Sequence, residues 1–567
     1  MTHVFNDPAV FTEESLEGLV SVHSTLLRQV VGGVVARGRA KDGKVAVVVG
    51  GGSGHYPMFA GHVGAGLADG AVVGNIFTSP SAQYAYSVGK HADRGAGVVF
   101  CYGNYAGDVM NFGIAVERLR AEGIPATSVV VTDDVFAAPK GEEHKRRGLA
   151  GDFVVLRALA GAAAAGKSFE EVVAAGERAN ARTRTVGVAF DGCTFPGADH
   201  KLFEVPQGVM SIGLGVHGEP GLEDIPAVPS KELAKILFDH ILADAPEGAG
   251  DRVAVIVNGL GATKYEELFV LWRDLLPHFE QAGLTPVEPE VGEIITSLDM
   301  AGLSLTLCWL DEELESSWTA PAYGPGYRKG SVALGATADA GAEEDEEQGT
   351  VIPEASEASQ ALAPLAVTAL GAALAAVRAA EEDLATADAV AGDGDHGRGM
   401  VRGLEAADAA AREAAAAGAG LGSTLTFAGD AWAEHAGGSS GVLWGAALRA
   451  LGTRLGDEAV PGPAEVAAAA EAFAEAVRSL GRVQLGDKTM YDAMEPAVRA
   501  FAAAVGEGLP AAATAAAEAA EQAAQATAAL RPKVGRARPL AERSVGHPDP
   551  GALSFSIIVR AVATSLT

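Results

Sequence analysis

The sequence is poor in cysteine and in basic side chains. Its 567 residues include three cysteines, Cys101, Cys193 and Cys308, which lie far apart in the chain. An odd number of distant cysteines excludes a disulfide framework and a zinc site built on closely spaced thiolates. Lysine and arginine number 42 against 73 aspartates and glutamates, which makes a formal net charge of −31. A surface this acidic repels nucleic acid and anionic lipid, so neither is expected as a partner.

Targeting and membrane-spanning patterns are missing as well. The first ten residues hold no basic segment followed by an apolar run, so we expect no signal peptide. No run of about 18 apolar residues is free of charge, glycine and proline, so we expect no transmembrane helix. Hydrophobic residues make up 48% and charged residues 20% of the chain, which is typical of a folded globular protein. We therefore predict a cytoplasmic protein.

The length predicts more than one domain, and an acidic stretch marks the clearest boundary. Residues 343–347 are five consecutive acidic side chains with glycines on either side of the run. Like charges repel each other and bury no apolar surface, so we predict a solvated linker over residues 336–357. This linker separates a domain of residues 1–335 from a second domain of residues 358–567.

Before the linker, short apolar runs rich in β-branched residues alternate with helical segments such as residues 109–122. The runs that predict buried strands lie at residues 44–49, 97–101, 128–131 and 251–257. This alternation is typical of a sheet covered by helices, the α/β class. A second subdomain is predicted to begin near residue 185. Residues 303–309 alternate between apolar and polar and predict a half-exposed strand of it.

After the linker, the sequence predicts helices throughout. Alanine has the highest helix propensity, and it dominates residues 402–418, 463–480, 492–506 and 510–530. Larger apolar residues from Leu362 to Val377 recur at helical spacing, which indicates packed helices rather than low-complexity sequence. We therefore predict that residues 358–567 form an all-α domain.

Glycine-rich motifs in the N-terminal domain carry polar side chains suited to binding. The first, Gly50-Gly-Gly-Ser-Gly-His55, follows a predicted strand. Its glycines either make a tight turn or let a ligand approach the backbone N–H groups. The motif lacks the Gly-Lys-Ser/Thr ending of a P-loop, so it does not predict an ATP site. His55 is placed to hydrogen-bond a small polar ligand.

Two further motifs offer an acid–base residue and a nucleophile. Asp108 lies in Asn104-Tyr-Ala-Gly-Asp-Val-Met-Asn-Phe, either as a helix N-cap or as a general base that accepts a hydroxyl proton. His217 lies in Gly213-Leu-Gly-Val-His-Gly-Glu-Pro-Gly. It is either a hydrogen-bonded loop histidine or a nucleophile. A neutral ring nitrogen attacks a carbonyl carbon to form a hemiaminal.

Beyond the linker, three carboxylates lie within eight residues, at Asp388, Asp393 and Asp395. Oxygen ligands on a glycine-rich loop suit Mg²⁺, although an exposed acidic turn has the same composition. Three downstream segments, residues 437–441, 486–490 and 535–551, carry Gly/Ser loops, arginines and an Asp-Pro-Gly turn. Such loops at helix N-termini bind phosphates. Basic residues near a metal loop therefore indicate phosphoryl transfer.

Together and in this order, these motifs resemble the dihydroxyacetone kinase family in its fused, single-chain form. The resemblance covers residues from about 4 to 565. It implies a multidomain protein with an α/β ketose-binding domain of two subdomains, residues 1–184 and 185–335, followed by an all-α, eight-helix barrel that binds nucleotide. It further implies direct use of ATP, two Mg²⁺ ions, and a homodimer whose active sites are shared between chains.

The resemblance also implies roles for individual residues. His217 would form the hemiaminal with the ketone, Asp108 would be the general base, and His55 would polarise the substrate. The ketose site would further include Gly52, Ser53 and Gly103. The magnesium ligands would be Asp388, Asp393 and Asp395, and the nucleotide contacts would be His396, Ser439, Ser440, Met490, Arg538 and Asp549.

The sequence departs from the dihydroxyacetone-specific pattern at two places near the ketose site. Tyr56 stands where those members usually have glutamate, and Gly103 stands where they usually have lysine. Loss of a lysine enlarges the pocket and removes a charged donor. We therefore favour erythrulose as the substrate, with dihydroxyacetone next. Pro539 and Ala541 depart from the family pattern in the lid. Two alternatives remain, a non-catalytic ketone-binding regulator and an FAD-AMP lyase (cyclising).

Overall fold

The computed structural model describes residues 2–37, 43–219, 221, 223–332, 352–390, 392, 394–535 and 541–566. The chain divides into two compact units, Met1–Glu344 and Asp345–Thr567, which are described separately below. Most of the predicted linker, residues 336–357, lies outside the described residues, as do the predicted site residues Asp393 and Arg538.

The first unit contains fifteen strands and eight α-helices among its described residues. Its strands are β1 (Leu27–Val30), β2 (Gly33–Ala36), β3 (Lys44–Ser53), β4 (Gly70–Ile76), β5 (Gly95–Gly103), β6 (Ala126–Val131), β7 (Thr183–Asp191), β8 (Val209–Ile212), β9 (Glu223–Pro226), β10 (Arg252–Gly259), β11 (Thr285–Pro286), β12 (Glu290–Gly292), β13 (Ala301–Trp309), β14 (Ala322–Tyr323) and β15 (Arg328–Lys329). Its helices are α1 (Phe11–Val22), α2 (Ala82–Ala92), α3 (Ala106–Ala121), α4 (Gly151–Ala164), α5 (Phe169–Ala181), α6 (Ser230–Ala243), α7 (Tyr265–Ala282) and α8 (Glu312–Thr319).

The first sheet has the strand order β1-β2-β4-β3-β5-β6, and β4, β3, β5 and β6 run parallel. Parallel strands are covered on both faces, so they consist of continuous apolar runs. In β3, Val45 and Val47 pack towards α4 and α5, whereas Ala46 and Val48 pack towards α2 and α3. The strands predicted at residues 44–49, 97–101 and 128–131 and the helix predicted at residues 109–122 are confirmed.

The second sheet has the order β11-β10-β13-β7-β8-β9, and β10, β13, β7, β8 and β9 pair antiparallel. The strand predicted at residues 251–257 is confirmed as β10. The half-exposed strand predicted at residues 303–309 is wrong, because β13 is buried on both faces. Leu305 and its apolar neighbours pack against α6 and α7. The polar residues on the other face are hydrogen-bonded under cover, as Thr306 is to Thr185 at 2.8 Å.

The second unit is entirely helical among its described residues, which confirms the all-α prediction. Its helices are α9 (Glu357–Gln360), α10 (Ala363–Ala379), α11 (Glu381–Ala389), α12 (His396–Ala416), α13 (Leu421–Ala436), α14 (Gly438–Leu455), α15 (Pro463–Gly481), α16 (Met490–Ala504), α17 (Leu509–Ala526), α18 (Ala541–Ser544) and α19 (Pro550–Ser565). The eight helices of fifteen residues or more form a closed ring of neighbours, α10-α12-α13-α14-α15-α16-α17-α19, and α19 packs against α10.

Apolar side chains point into the ring and line an apolar cavity of about 530 Å³. Trp432 and Trp444 stack beside it with their ring centres 4.9 Å apart. The segment Glu357–Ala379 is long and apolar enough to cross a membrane by length and composition alone. In this fold, its residues Leu370, Leu374 and Val377 belong to the core of the ring.

Candidate active site

The glycine motif after β3 carries His55 into the interior of the first unit. A side-chain carbon on Gly51 would lie 2.6 Å from the ring of Phe59, and one on Gly54 would lie 2.7 Å from the ring of Phe77. Gly54 also has φ = 100°, a conformation that glycine adopts without strain. These two glycines therefore make room for protein aromatic rings. Of the two interpretations, these contacts favour the tight turn over close approach of a ligand to the backbone.

Gly52 and Ser53, which were predicted to line the ketose site, belong to the last residues of β3. A side-chain carbon on Gly52 would lie 2.6 Å from the backbone nitrogen of Thr78. The Ser53 hydroxyl donates a hydrogen bond to the carbonyl oxygen of Gly74 at 2.6 Å. Ser53 therefore bonds the end of β3 to β4, and the lack of a side chain at Gly52 lets the segment after β4 approach closely, directly before His55.

His55 and His217 meet in the interior although 162 residues separate them in the chain. Their Nε2 atoms are 3.1 Å apart, and both side chains are buried. The Nδ1 atom of His55 faces the carbonyl oxygen of Thr296 at 2.8 Å. The Nδ1 atom of His217 faces Oε1 of Glu219 at 3.2 Å. Each histidine therefore turns Nδ1 towards a fixed acceptor and Nε2 towards the other histidine.

Aromatic rings enclose this histidine pair. Phe77 stacks on His55 with ring centres 5.1 Å apart and meets His217 edge-on at 5.2 Å. Tyr105 packs edge-on against His217 at 4.7 Å. Burial, and then the charge of His217, lower the pKa of His55 to about 3. His55 alone therefore resists protonation at neutral pH, and the pair does not hold two positive charges.

Asp108 lies in the first turn of α3, at the end of β5. This helix begins at Ala106 with Tyr105 as its N-cap, so the alternative of Asp108 as the N-cap is wrong. Its side chain is buried and belongs to the same turn as Tyr105, whose ring contacts His217. The carboxyl group therefore reaches this end of the sheet from the start of α3.

The two positions that depart from the family pattern have different surroundings. Gly103 ends β5, and a side-chain carbon there would lie 2.9 Å from Cε2 of Tyr105 and 3.3 Å from Cα of Gly148. Tyr56 is 48% exposed, and its ring lies beside Gly61. Gly103 is thus in contact with the ring that packs on His217, whereas Tyr56 lies largely at the surface.

Several residues of this site did not emerge from the sequence as individual candidates. Phe77 has φ = 53°, which is uncommon outside glycine, and no sequence pattern marks it. Arg147 forms a buried ion pair with Asp134 at 2.7 Å and reaches towards the site from a loop after β6. Glu219 was visible only as part of the Gly-Glu-Pro-Gly motif. Its spacing of two residues from His217 was the available signal.

In the second unit, three predicted site carboxylates occupy one region. Asp388 lies in the last turn of α11, and Asp395 is the N-cap of α12. Asp549 caps α19 by accepting a hydrogen bond from the backbone of Ala552 at 2.8 Å, so the predicted Asp-Pro-Gly turn is a helix start. Burial raises the pKa of Asp395 and of Asp549 to about 7, and the charge of Asp388 raises both. Asp388 is therefore close enough to both of the other carboxyl groups to repel them.

This region fits a hard cation by its donor chemistry. The Oδ2 atom of Asp388 is buried and accepts no hydrogen bond from the described residues. Carboxylates that repel one another are stabilised by a divalent ion, and Mg²⁺ prefers oxygen donors together with water and phosphate. Within the described ranges, no group of three or more histidine, cysteine, aspartate or glutamate side chains is arranged to hold a metal ion. Asp393 lies outside those ranges.

The predicted nucleotide contacts lie at helix N-termini. His396 is the first residue of α12, and its Nε2 atom lies 2.9 Å from the hydroxyl of Ser554 on α19. Met490 begins α16, and a side-chain carbon on Gly551 of α19 would lie 3.3 Å from it. The N-termini of α12, α16 and α19 thus lie at one end of the ring. Each carries the partial positive charge of a helix N-terminus, which attracts phosphate oxygens.

Two serines and one lysine remain to be placed in this unit. Ser439 and Ser440 lie in the first turn of α14, in line with the prediction of a Gly/Ser loop at a helix start. Lys488 did not emerge from the sequence as a site residue. Its ammonium group donates to the carbonyl oxygens of Leu530 and Ser544 at 3.2 and 2.5 Å. It therefore bonds the loop before α16 to Leu530 and to the last residue of α18.

Comparison with known proteins gives matches over the full chain. The Dak1 domain matches residues 17–326 and the DAK2 domain matches residues 390–564. The D-erythrulose kinase of Mycolicibacterium smegmatis is 53% identical, with 100% of this chain and 99% of that protein covered. The L-erythrulose kinase of Pectobacterium atrosepticum is 51% identical, with 100% and 97% covered. The triokinase/FMN cyclase of Mus musculus is 31% identical, with 92% and 90% covered.

Solved structures agree with these matches. The native dihydroxyacetone kinase of C. freundii has a TM-score of 0.53 and 27% identity, with 100% of this chain and 99% of that chain covered. The same kinase has also been solved in complex with AMP-PNP and Mg²⁺, again at a TM-score of 0.53 and with 25% identity. The chain belongs to the dihydroxyacetone kinase family. It is a ketose kinase that carries the Dak1 and Dak2 domains in a single chain.

Proposed function

We propose that this kinase transfers a phosphoryl group from ATP to a hydroxyl of a short-chain ketose held as a hemiaminal on His217. Erythrulose is the favoured ketose, and dihydroxyacetone is next. The observation that carries the proposal is the buried contact of 3.1 Å between the Nε2 atoms of His55 and His217. Each Nδ1 atom faces an acceptor and therefore carries a hydrogen. The contact between the Nε2 atoms places His55 directly beside the nitrogen of His217 that is proposed to bond to the ketone.

Hemiaminal formation needs a nucleophilic ring nitrogen and a proton for the carbonyl oxygen. When the Nε2 atom of His217 bonds to the carbonyl carbon, the π electrons of the C=O bond move to its oxygen. That oxygen takes a proton from the surrounding water and lies within reach of His55, and His217 becomes a cation alkylated at Nε2. Only ketones and aldehydes react in this way, so polyols such as glycerol are not captured.

Asp108 is proposed as the general base for the transfer itself. It accepts the proton of the substrate hydroxyl that attacks the phosphoryl group. Asp388, Asp393 and Asp395 would hold Mg²⁺, which when bound neutralises the charge of the phosphates. The N-termini of α12, α14, α16 and α19 would donate backbone N–H groups to the nucleotide, with His396 and Asp549 at two of these N-termini.

The preference for erythrulose rests on Gly103. Because this residue has no side chain, Tyr105 and Gly148 pack directly against it, and no lysine side chain extends from this position next to His217. A four-carbon ketose has one hydroxymethylene group more than dihydroxyacetone and would use the room that a lysine side chain at this position takes up. Two of the most similar relatives are named as erythrulose kinases, one for each enantiomer. Tyr56 lends less support, since it is half exposed.

A substrate panel tests the proposal. Magnesium-dependent release of ADP from ATP is measured with dihydroxyacetone, D-erythrulose, L-erythrulose, glyceraldehyde and glycerol. We expect the highest kcat/KM with one of the erythruloses and no turnover with glycerol. Highest turnover with dihydroxyacetone would contradict the argument from Gly103 but not the mechanism. No ketose-dependent ADP would contradict the proposal and favour the regulator.

The mouse relative named as an FMN cyclase gives the lyase alternative a specific test. FAD replaces the ketose in the assay, and the variant His217→Ala is compared with the unaltered chain. A ketose kinase loses ketose phosphorylation in this variant, whereas release of a cyclic flavin phosphate does not need His217. A homodimer and a cytoplasmic location complete the proposal, and analytical ultracentrifugation tests the homodimer.

A further inference from the structure

Glu219 contacts His217 through both of its carboxylate oxygens. Oε2 accepts a hydrogen bond from the backbone N–H of His217 at 3.0 Å, and Oε1 lies 3.2 Å from the Nδ1 atom of the same residue. The backbone N–H of Gly215 donates to the carbonyl oxygen of Glu219 at 3.0 Å, which closes a tight turn around His217. Glu219 is thus held by the loop that carries His217. Its carboxylate contacts the Nδ1 atom of His217 directly.

Arg147 holds this carboxylate from outside the loop. Its Nη1 atom lies 3.8 Å from Oε2 of Glu219, while its Nε and Nη2 atoms donate to Asp134 at 3.0 and 2.7 Å. Asp134 is fully buried. A buried charge is stable only when it is paired. Asp134, Arg147 and Glu219 therefore form a row of alternating negative and positive charges. This row ends at His217, the proposed nucleophile.

Gly215 makes the space that this arrangement needs. A side-chain carbon on Gly215 would lie 2.2 Å from Oε2 of Glu219 and 2.8 Å from Nη1 of Arg147. Distances this short exclude any other residue at this position unless the carboxylate or the guanidinium moves. The loop is thus built around the contact between Glu219 and Arg147.

We propose that Glu219, held by Arg147, is a positioning residue that keeps His217 in the Nδ1–H tautomer and balances the positive charge of its adduct. This inference rests on the proposed function. Only the Nδ1–H tautomer presents a lone pair at Nε2, and the partner of one ring nitrogen decides where the proton lies. Carboxylates act on catalytic histidines in this way in other enzymes. Once Nε2 is alkylated, the ring is a cation, and the Glu219 carboxylate lies beside it.

The tautomer is measured directly in the full chain with ¹⁵N-labelled histidine. His217 is assigned by comparison with His217→Asn, and the nitrogen shifts are recorded without ketose at a pH at which the ring is neutral. We expect a protonated Nδ1 and an unprotonated Nε2. A protonated Nε2 in the unaltered protein would overturn the inference, whether or not any variant folds.

Variants test the consequence for the reaction. In Glu219→Gln, one oxygen becomes an NH₂ group, which meets either the backbone N–H or the Nδ1–H of His217. We expect the Nδ1–H preference to be lost and kcat/KM to fall about 10- to 100-fold, as when other residues that orient a functional histidine are replaced. Gly215→Ala displaces the carboxylate without removing it and should act in the same direction. Glu223→Gln, an exposed carboxylate on the neighbouring strand β9, is the matched control.

Detection of the hemiaminal distinguishes failure of the proposed function from failure of the proposed role of Glu219. Erythrulose labelled with ¹³C at its carbonyl is added, and its signal is expected to move to the region of tetrahedral carbon in the unaltered protein and in Glu223→Gln. If the unaltered protein shows no such signal, the proposed function fails. If the signal forms normally in Glu219→Gln and Gly215→Ala as well, the role of Glu219 is refuted while the proposed function stands.

Discussion

Replacement of Gly103 by alanine tests whether the end of β5 decides which ketose is used. The added carbon would lie 2.9 Å from Cε2 of Tyr105. Carbon atoms in ordinary contact lie about 3.5 Å apart, so the ring must move by about 0.6 Å. Tyr105 is held by its hydroxyl, which donates to the carbonyl oxygen of Gly148 at 3.0 Å, and by its packing on His217 at 4.7 Å. The displacement is therefore passed to the proposed nucleophile.

The magnitude follows from two effects. Insertion of a methyl group into a packed region costs about 1–3 kcal/mol of stability. A misplacement of about 1 Å near reacting groups lowers a rate about 100-fold, so a smaller shift at His217 is expected to lower kcat/KM about tenfold. Because a displaced Tyr105 ring narrows the site beside His217, the larger ketose, erythrulose, should lose more than dihydroxyacetone.

The assay measures urea unfolding together with magnesium-dependent ADP release for both ketoses. Gly113→Ala is the control, since it makes the same change in α3, where no described atom beyond the adjoining helix backbone lies within 4 Å of the added carbon. That variant should keep its activity and gain up to about 1 kcal/mol from helix propensity. If Gly103→Ala keeps full stability and turnover, or loses dihydroxyacetone turnover first, then the argument from Gly103 is refuted.

Three further predictions concern other parts of the molecule. Burial, and then Arg157, lower the pKa of His62 to about 3. Its stabilising effect is therefore complete above pH 6.5 and is lost as the pH falls towards 3. Between pH 7 and pH 5, the free energy of unfolding should therefore fall by about 2 kcal/mol less in His62→Phe than in the unaltered protein. Urea unfolding measures both, and an equal fall in the two proteins would contradict this. Asp388→Ala should abolish magnesium-dependent turnover while ketose still binds in calorimetry; simultaneous loss of ketose binding would argue against separate sites. His217→Ala should lose tight ketose binding in the same titration but retain binding of magnesium-ATP, and unchanged ketose affinity would contradict the hemiaminal.

The local fold was predictable wherever a repeating pattern or a terminal signal is present. The β-branched run of β3 predicts a strand buried on both faces, and the alanine-rich stretch of α12 predicts a helix. Both predictions depend only on residues that are neighbours in the chain. The error at β13 came from the same source. Alternation of apolar and polar residues indicates two different faces but does not say whether a second layer covers the polar one. There, hydrogen bonds such as that of Thr306 satisfy the polar side chains under cover.

The sequence alone determined the class of the chain and its main candidates. Ordered motifs identified His55, Asp108, His217 and the aspartates near α12, because chemistry of this kind needs particular residue types at particular spacings. It also determined an α/β part followed by an all-α part, since strand and helix periodicities are local properties.

Only the tertiary structure decided which groups meet and with which atoms. It placed the Nε2 atoms of His55 and His217 within 3.1 Å and added Glu219 behind His217. It also turned Phe77 and Tyr105 onto the pair and left Tyr56 half exposed. These contacts join segments far apart in the chain, and the packing of whole strands and helices sets their distances. No local pattern encodes such distances, because the orientation of a side chain depends on neighbours that the chain meets only after folding.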